Sequence, residues 1–336
     1  MSADQVVEAA RPPATTRPVT GRLWRGLESY ALLGLLVVVV LFFSFYGPTA
    51  DVYPTWGNFR AVVGNQSVLA IVALAALVPL VCNEFDLSVG AIAGISSVYC
   101  ATALSHGQPI VVAMGIGILL GVAVGSINAV IITRFGVNAV VTTFGMATLL
   151  AGVNQAKTGG LAVVSGIPAS VSAFGSESTL GLPRVAFVML AVALLVAYLL
   201  GHTPFGRYTY AVGSNPLAAR LVGLRPDRTL GWTFVVSGTL AGVAGVVQVA
   251  RAGGADPHVG EGFTLPALAA AFLSAAAIRP GRFNVGGLLV AIFFLAALNG
   301  GLNLAGVANY VSNFVNGGAL IVGVGITVFL GRRSGA

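Results

Sequence analysis

An all-α fold, a polytopic membrane protein with about ten transmembrane helices and both termini cytoplasmic, follows from three observations. Hydrophobic residues make up 57% of the 336 and charged residues only 8%, with a mean hydropathy of +0.93. Soluble domains carry about a quarter charged residues. Apolar windows of roughly 17 to 25 residues, the length that crosses the hydrocarbon core as a helix, recur along the whole chain. The charges between those windows segregate by parity, which sets the orientation.

The windows predict spans near 29–46, 60–82, 87–105, 109–133, 138–156, 184–201, 230–250, 265–278, 284–304 and 309–330. Residues 1–28 and 331–336 are then cytoplasmic tails, and 29–330 is one transmembrane domain with a long cytoplasmic loop at 202–229. The first window is retained as a span, since its polar leader is long and the Ser44-Phe45-Tyr46 end lacks a small-x-small cleavage pattern. With the N-terminus inside, alternation places Arg11, Arg17, Arg22, Arg25, Arg134, Arg207, Arg220, Arg225, Arg228, Arg279, Arg282, Arg332 and Arg333 in the cytoplasm. Arg60, Lys157, Arg184 and Arg251 are left outside. This asymmetry explains the net charge of +7 better than nucleic acid binding does.

Two external connections carry content of their own. Residues 158–183 are rich in Gly, Ser and Pro, and 252–264 holds Asp256, His258 and Glu261; each is a lid or docking surface, or an ordinary solvated connection. Gly117, Gly121 and Gly125, and again Gly238 and Gly242, recur at four-residue spacing, which lets helices approach closely. Packing within one subunit is favoured over self-association.

The cytoplasmic loop contains a short helix with punctuation at both ends. Asn215 is a good N-cap, Pro216 suits the first helical position and Gly223 takes the left-handed conformation that ends a helix. Leu217 and Leu221 share one face beside Arg220, so the helix reads as built to touch another protein; the bland reading is a solvated loop helix.

Polar residues within apolar sequence are the other candidates. Asn83, Glu84, Asp86 and Ser88 interrupt the second and third spans, and charges at that depth line a polar path or cap a broken helix. Asp86 reads as the cap of a helix beginning at Leu87. Glu84, below the headgroups, needs an arginine partner or an aqueous cavity. Asn128, Asn154, Asn299, Asn303 and Asn313 need hydrogen-bond partners there; such neutral groups suit an uncharged polyhydroxylated solute, or bond helix to helix.

Several chemistries are excluded or unsupported. The sole lysine, Lys157, follows Ala156 where a phosphate-binding loop needs glycine, so the chain is not its own ATPase of that type. No HExxH, GxSxG or histidine-carboxylate constellation is present, so an enzyme is not expected. Cys82 and Cys100 lie in apolar segments without a metal-binding neighbourhood, and His106, His202 and His258 are scattered, so no metal site is expected.

Three stretches in order, Asp86-Leu87-Ser88-Val89-Gly90, Gly206 to Gly223, and Asn299-Gly300-Gly301-Leu302-Asn303-Leu304, resemble the permease subunits of bacterial ribose-type ABC importers, over roughly residues 55–330. The resemblance implies a subunit of the inner membrane that moves a monosaccharide or related small polyol. It implies three partners: a cytoplasmic ABC ATPase that binds ATP and Mg, a periplasmic or lipid-anchored sugar-binding protein, and a second permease subunit, the same chain or a sister. This chain itself holds no cofactor. Arg207, Gly213, Asn215, Ala218, Ala219, Arg220, Leu221 and Gly223 match the family's coupling pattern, and with Pro216 and Leu217 they are the expected ATPase contact. The expected polar path is Asn83, Glu84, Asp86, Ser88, Asn154, Asn299 and Asn303.

Two segments depart from the family. Asn83-Glu84-Phe85 replaces a small residue followed by Gly-Ile, and Leu273 to Arg282 replaces a Gly-Gly-Thr-like turn. Alternatives from other classes are an ion-coupled secondary transporter using Glu84 and Asp86, a non-transporting membrane subunit, or an ABC permease for a nucleoside or branched-chain amino acid.

Overall fold

Backbone polar groups in hydrocarbon must be satisfied within their own segment, so a chain of this composition folds as helices. The computed structural model describes residues 20–308 and 310–333 and is 77% helix and 2% strand. In chain order the helices are α1 (Thr20–Phe45), α2 (Trp56–Leu80), α3 (Val89–Ser105), α4 (Ile110–Arg134), α5 (Ala139–Thr158), α6 (Ala169–Ser176) and α7 (Arg184–His202). They continue as α8 (Pro204–Ser214), α9 (Pro216–Leu221), α10 (Pro226–Ala252), α11 (Glu261–Leu273), α12 (Val285–Leu304) and α13 (Tyr310–Arg333).

Among the described residues, α2, α4, α5, α7, α10 and α12 are long and apolar enough to cross a membrane; Ser29–Phe45, Val89–Ser105 and Glu261–Ala276 are shorter apolar helices. The chain is a polytopic membrane protein. Helix α1 begins inside the segment expected to be the tail 1–28, and α13 runs past 331. The remainder of those two tails, with Arg11 and Arg17, lies outside the described residues.

Helix α2 is the hub. Ala70 through Val78 are each 0% exposed, and the helix packs on α7, α10, α11 and α12. A helix apolar all round is buried all round, and here it organises the bundle. The most extensive helix pair is α4 with α10, and its seam is the run of small residues. A Cβ on Gly121 would collide with the carbonyl oxygen of Gly238, and one on Gly238 with that of Gly121. Between membrane helices such close approach supplies the van der Waals contact that hydrophobic burial cannot. The four-residue glycine spacing therefore serves packing inside the subunit.

The two ends of the bundle differ. At one end, Asn83 at the close of α2 donates from its side-chain amide to the carbonyl of Gly213 in α8, Tyr210 donates to the carbonyl of Phe283, and the Ile278 amide donates to the carbonyl of Ser29. At the other, Val163 bridges Ala255, and Arg60 donates to Ser178. The 158–183 connection is partly structured. It holds α6 and a two-stranded antiparallel hairpin, Ser178–Thr179 with Leu182–Pro183.

Candidate functional site

Helix α9 is defined by local rules at both ends. The Asn215 side-chain oxygen accepts from the Ala218 amide at 2.9 Å, and Pro216 fills the first turn, where no donor is needed. At the other end the Gly223 amide bonds the Arg220 carbonyl and the Leu224 amide bonds the Ala219 carbonyl, with Gly223 at φ +84°. This is a Schellman closure, and a side chain at Gly223 would be strained. Sequence reasoning placed a single helix here. The structure adds α8 before it, capped by Thr203, whose hydroxyl accepts from the Gly206 amide, and with Pro204 in the first turn. The Thr-Pro pair was an available signal for it.

Helix α9 turns one small residue inward and its large apolar residues outward. Ala219 is buried against Cys82 and Val212, which seats α9 on the break after α2. Leu217, Leu221 and Val222 are 71%, 90% and 76% exposed. Arg220 lies beside them and pairs with Asp227 at 3.3 Å; both side chains are more than half exposed, so the pair orients more than it stabilises. Ala218 and Pro216 are exposed on the same helix. Arg207 stands apart from this face and lines a cavity between α7, α8 and the 278–286 segment.

The break between α2 and α3 carries the polar motif. Sequence reasoning started a helix at Leu87 with Asp86 as its cap; α3 instead starts at Val89, and Ser88 in the cap position makes no capping bond. Asp86 is 0% exposed. One carboxylate oxygen accepts from the Ser88 amide at 3.0 Å and the Ser88 hydroxyl at 2.5 Å, and the other accepts from Ser237 of α10 at 2.7 Å. The Ser88 hydroxyl in turn accepts from Asn128 of α4 at 2.9 Å, and Thr143 of α5 accepts from the Leu87 amide at 3.0 Å. The motif ties α3, α4, α5 and α10 together at a buried point. Ser237, 151 residues from Asp86, carried no sequence signal.

Asn83 is exposed at φ +61° and held by its bond to Gly213. Glu84 is half-buried, and it has no arginine partner among the described residues. The break and helices α8 and α9 thus share one end of the molecule.

The first turn of α3 meets the start of α11. A Cβ on Gly90 would collide with the Gly260 carbonyl oxygen, so the starts of two short apolar helices touch through glycine. Beside this contact, Ala91, Ala147, Ala151, Asn154, Pro257, Gly260, Glu261 and Thr264 line a recess of about 70 Å³. Asn154 donates to the Pro257 carbonyl at 3.3 Å, and its own side-chain oxygen is buried without a partner. Asn299 donates to Asn316 at 3.2 Å, joining α12 to α13, and Asn303 is exposed near the end of α12. The structure therefore disperses the expected polar set. Asn83, Glu84, Asp86 and Ser88 cluster at the break, Asn154 lies at the recess, and Asn299 and Asn303 lie apart on α12.

Residues 59–324 match the model of the branched-chain amino acid transport system permease component. The chain belongs to this permease family. The permease is 32% identical over 318 residues to the ribose import permease protein RbsC of Escherichia coli (strain K12), covering 92% of this chain and 98% of the relative. It is 29% identical over 310 residues to the ribose import permease protein of Haemophilus influenzae, covering 91% and 95%. To the autoinducer 2 import system permease protein LsrC of Salmonella typhi it is 29% identical over 297 residues, covering 88% and 84%. No solved structure matches the permease.

Proposed function

We propose that this permease forms the membrane path of an ATP-driven importer for a monosaccharide or related small polyol in the bacterial inner membrane. The solute arrives from a periplasmic or lipid-anchored binding protein, and a separate cytoplasmic ATPase, which binds ATP and Mg, drives the cycle. A second permease subunit, a copy or a sister chain, completes the path. Six membrane-length helices, three shorter apolar helices and α13 support a fold of about ten spans with both ends of the chain inside.

The observation that carries the reading is α9: a helix closed at both ends that exposes Leu217, Leu221 and Val222 at the arginine-rich end of the bundle. Exposed apolar side chains clustered on a fixed short helix form a patch of the kind that marks a contact surface. Motion of the ATPase reaches the membrane through the Ala219 contact with Cys82 and the Asn83 bond to Gly213. These contacts lead directly to the Asp86 break. The Asn154 side-chain oxygen, buried at the recess without a partner, is a neutral acceptor of the kind that suits a hydroxylated solute. The sugar class itself rests on the ribose and autoinducer 2 permeases among the relatives.

Asp86 also weighs against the ion-coupled alternative, since it is shut off from solvent and both oxygens are engaged. The experiment is solute uptake by the complex of permease, ATPase and binding protein in vesicles. Uptake is expected to stop on ATP depletion and to continue with an ionophore. Uptake that follows the ion gradient without ATP overturns the reading.

A further inference from the structure

The segment 278–286, which overlaps the Leu273 to Arg282 departure from the family pattern, shapes a cavity beside α8. About 520 Å³ in volume, it is bounded by Ala197, Leu200, Gly201 and His202 of α7, Arg207 and Tyr210 of α8, and Arg279, Arg282 and Asn284 of the connection. That volume is within the range of small-molecule sites. Three arginines face it and no carboxylate lines it. None of the three forms an ion pair among the described residues.

The walls are built rather than incidental. The Arg282 guanidinium stacks on the Tyr210 ring at 4.3 Å, and the Tyr210 hydroxyl donates to the Phe283 carbonyl at 2.6 Å. Burial raises the Tyr210 phenol above its ordinary pKa against the opposing pull of Arg282 and Arg279, which keeps it a donor. The Asn284 amide group holds the Ser274, Ala277 and Arg282 carbonyls, and its oxygen caps α12 through the Gly287 amide at 2.7 Å. The Arg282 backbone is thereby held beside the start of α12.

The cavity is also continuous with an apolar stripe. Leu190, Leu194 and Tyr198 follow one another at four-residue spacing on the exposed face of α7, and Tyr198 stacks on His202 at the rim, with centroids 5.6 Å apart. The stripe lies on a membrane-crossing helix and ends at the arginines. A ligand that satisfies both parts has a phosphate at one end and an acyl chain at the other. We propose that this cavity binds the phosphate of an anionic phospholipid, with the acyl chains lying along Leu190, Leu194 and Tyr198. Basic pockets between helices at the cytoplasmic surface suit that headgroup chemistry. A free phosphate ion would use the arginines but ignore the stripe.

The test is native mass spectrometry of the purified full-length permease in detergent, with phosphatidylglycerol, phosphatidylcholine or inorganic phosphate added separately. Phosphatidylglycerol is expected to be retained about tenfold better than phosphatidylcholine. Arg279→Gln with Arg282→Gln should remove that preference. Arg279→Gln alone, an exposed change, should reduce it if the pair fails to fold. Inorganic phosphate should compete only weakly. Equal retention of the two lipids, or a preference untouched by either variant, overturns the proposal. Retention of inorganic phosphate with no lipid preference overturns the lipid source. Loss of ATPase assembly in Arg279→Gln with lipid preference intact makes the cavity a protein contact and overturns it as well.

Discussion

Replacing Leu217 and Leu221 together with aspartate is expected to lower substrate-stimulated ATP hydrolysis of the assembled complex by at least about tenfold. The permease itself should insert and fold as before. At 71% and 90% exposure these side chains contribute little to the subunit, and α9 is held by other means: the Asn215 cap, the turn at Gly223 and buried Ala219. In a partner's groove each leucine loses its water, which stabilises the complex by about 1.5–3 kcal/mol per side chain. Aspartate reverses the sign by burying an unpaired charge. Two such losses exceed the ~1.4 kcal/mol that a tenfold change requires. The controls are the amount of permease in the membrane and its unfolding temperature in detergent. Full stimulation by the double variant would remove α9 from the docking surface.

The second large effect is expected at Asp86. Asp86→Ala takes the acceptor from the Ser88 amide, the Ser88 hydroxyl and the Ser237 hydroxyl, all within a fully buried site. Each orphaned buried group costs about 1–3 kcal/mol. Marginal stabilities of about 5–15 kcal/mol leave little reserve for three such losses. A large fall in the detergent unfolding temperature and in yield is expected. Asp86→Asn should fall less, because its amide oxygen still accepts and a serine hydroxyl can rotate to accept from its NH₂ group. An Asp86→Ala permease as stable as the parent would show that the network holds nothing.

What the sequence made legible was local. Asn215, Pro216 and Gly223 specify α9 by capping rules that act within a few residues, and the structure places all three in those roles. The glycine seam of α4 and α10 was legible for the same reason: spacing on one helix face is a property of each segment alone. The partner of each seam was not. Asp86 was read as a local cap, yet its second oxygen bonds Ser237, a contact only the folded bundle creates. The start of α11 at Glu261 was missed because Glu261 and Thr264 depress an apolar window that opens at 265.

The departures from the family pattern were visible without a meaning. Asn83 and Ile278, in those two segments, are among the three non-glycine residues with positive φ among the described residues, at +61° each. A β-branched residue there is strained, and the backbone of 278–286 is correspondingly distinctive. That distortion, and the cavity beside it, depends on helices α7 and α8 arriving from elsewhere in the chain.

Contact between α9 and the ATPase underlies the proposed coupling. Its most direct measurement is site-specific crosslinking from Leu221→Cys in the assembled complex, using a short thiol-to-amine reagent. The two native cysteines, Cys82 and Cys100, are buried and leave the introduced thiol as the accessible one among the described residues. A covalent adduct between permease and ATPase, absent in the parent, is expected. An adduct with the solute-binding protein and none with the ATPase would place α9 on the opposite side of the membrane and contradict that contact.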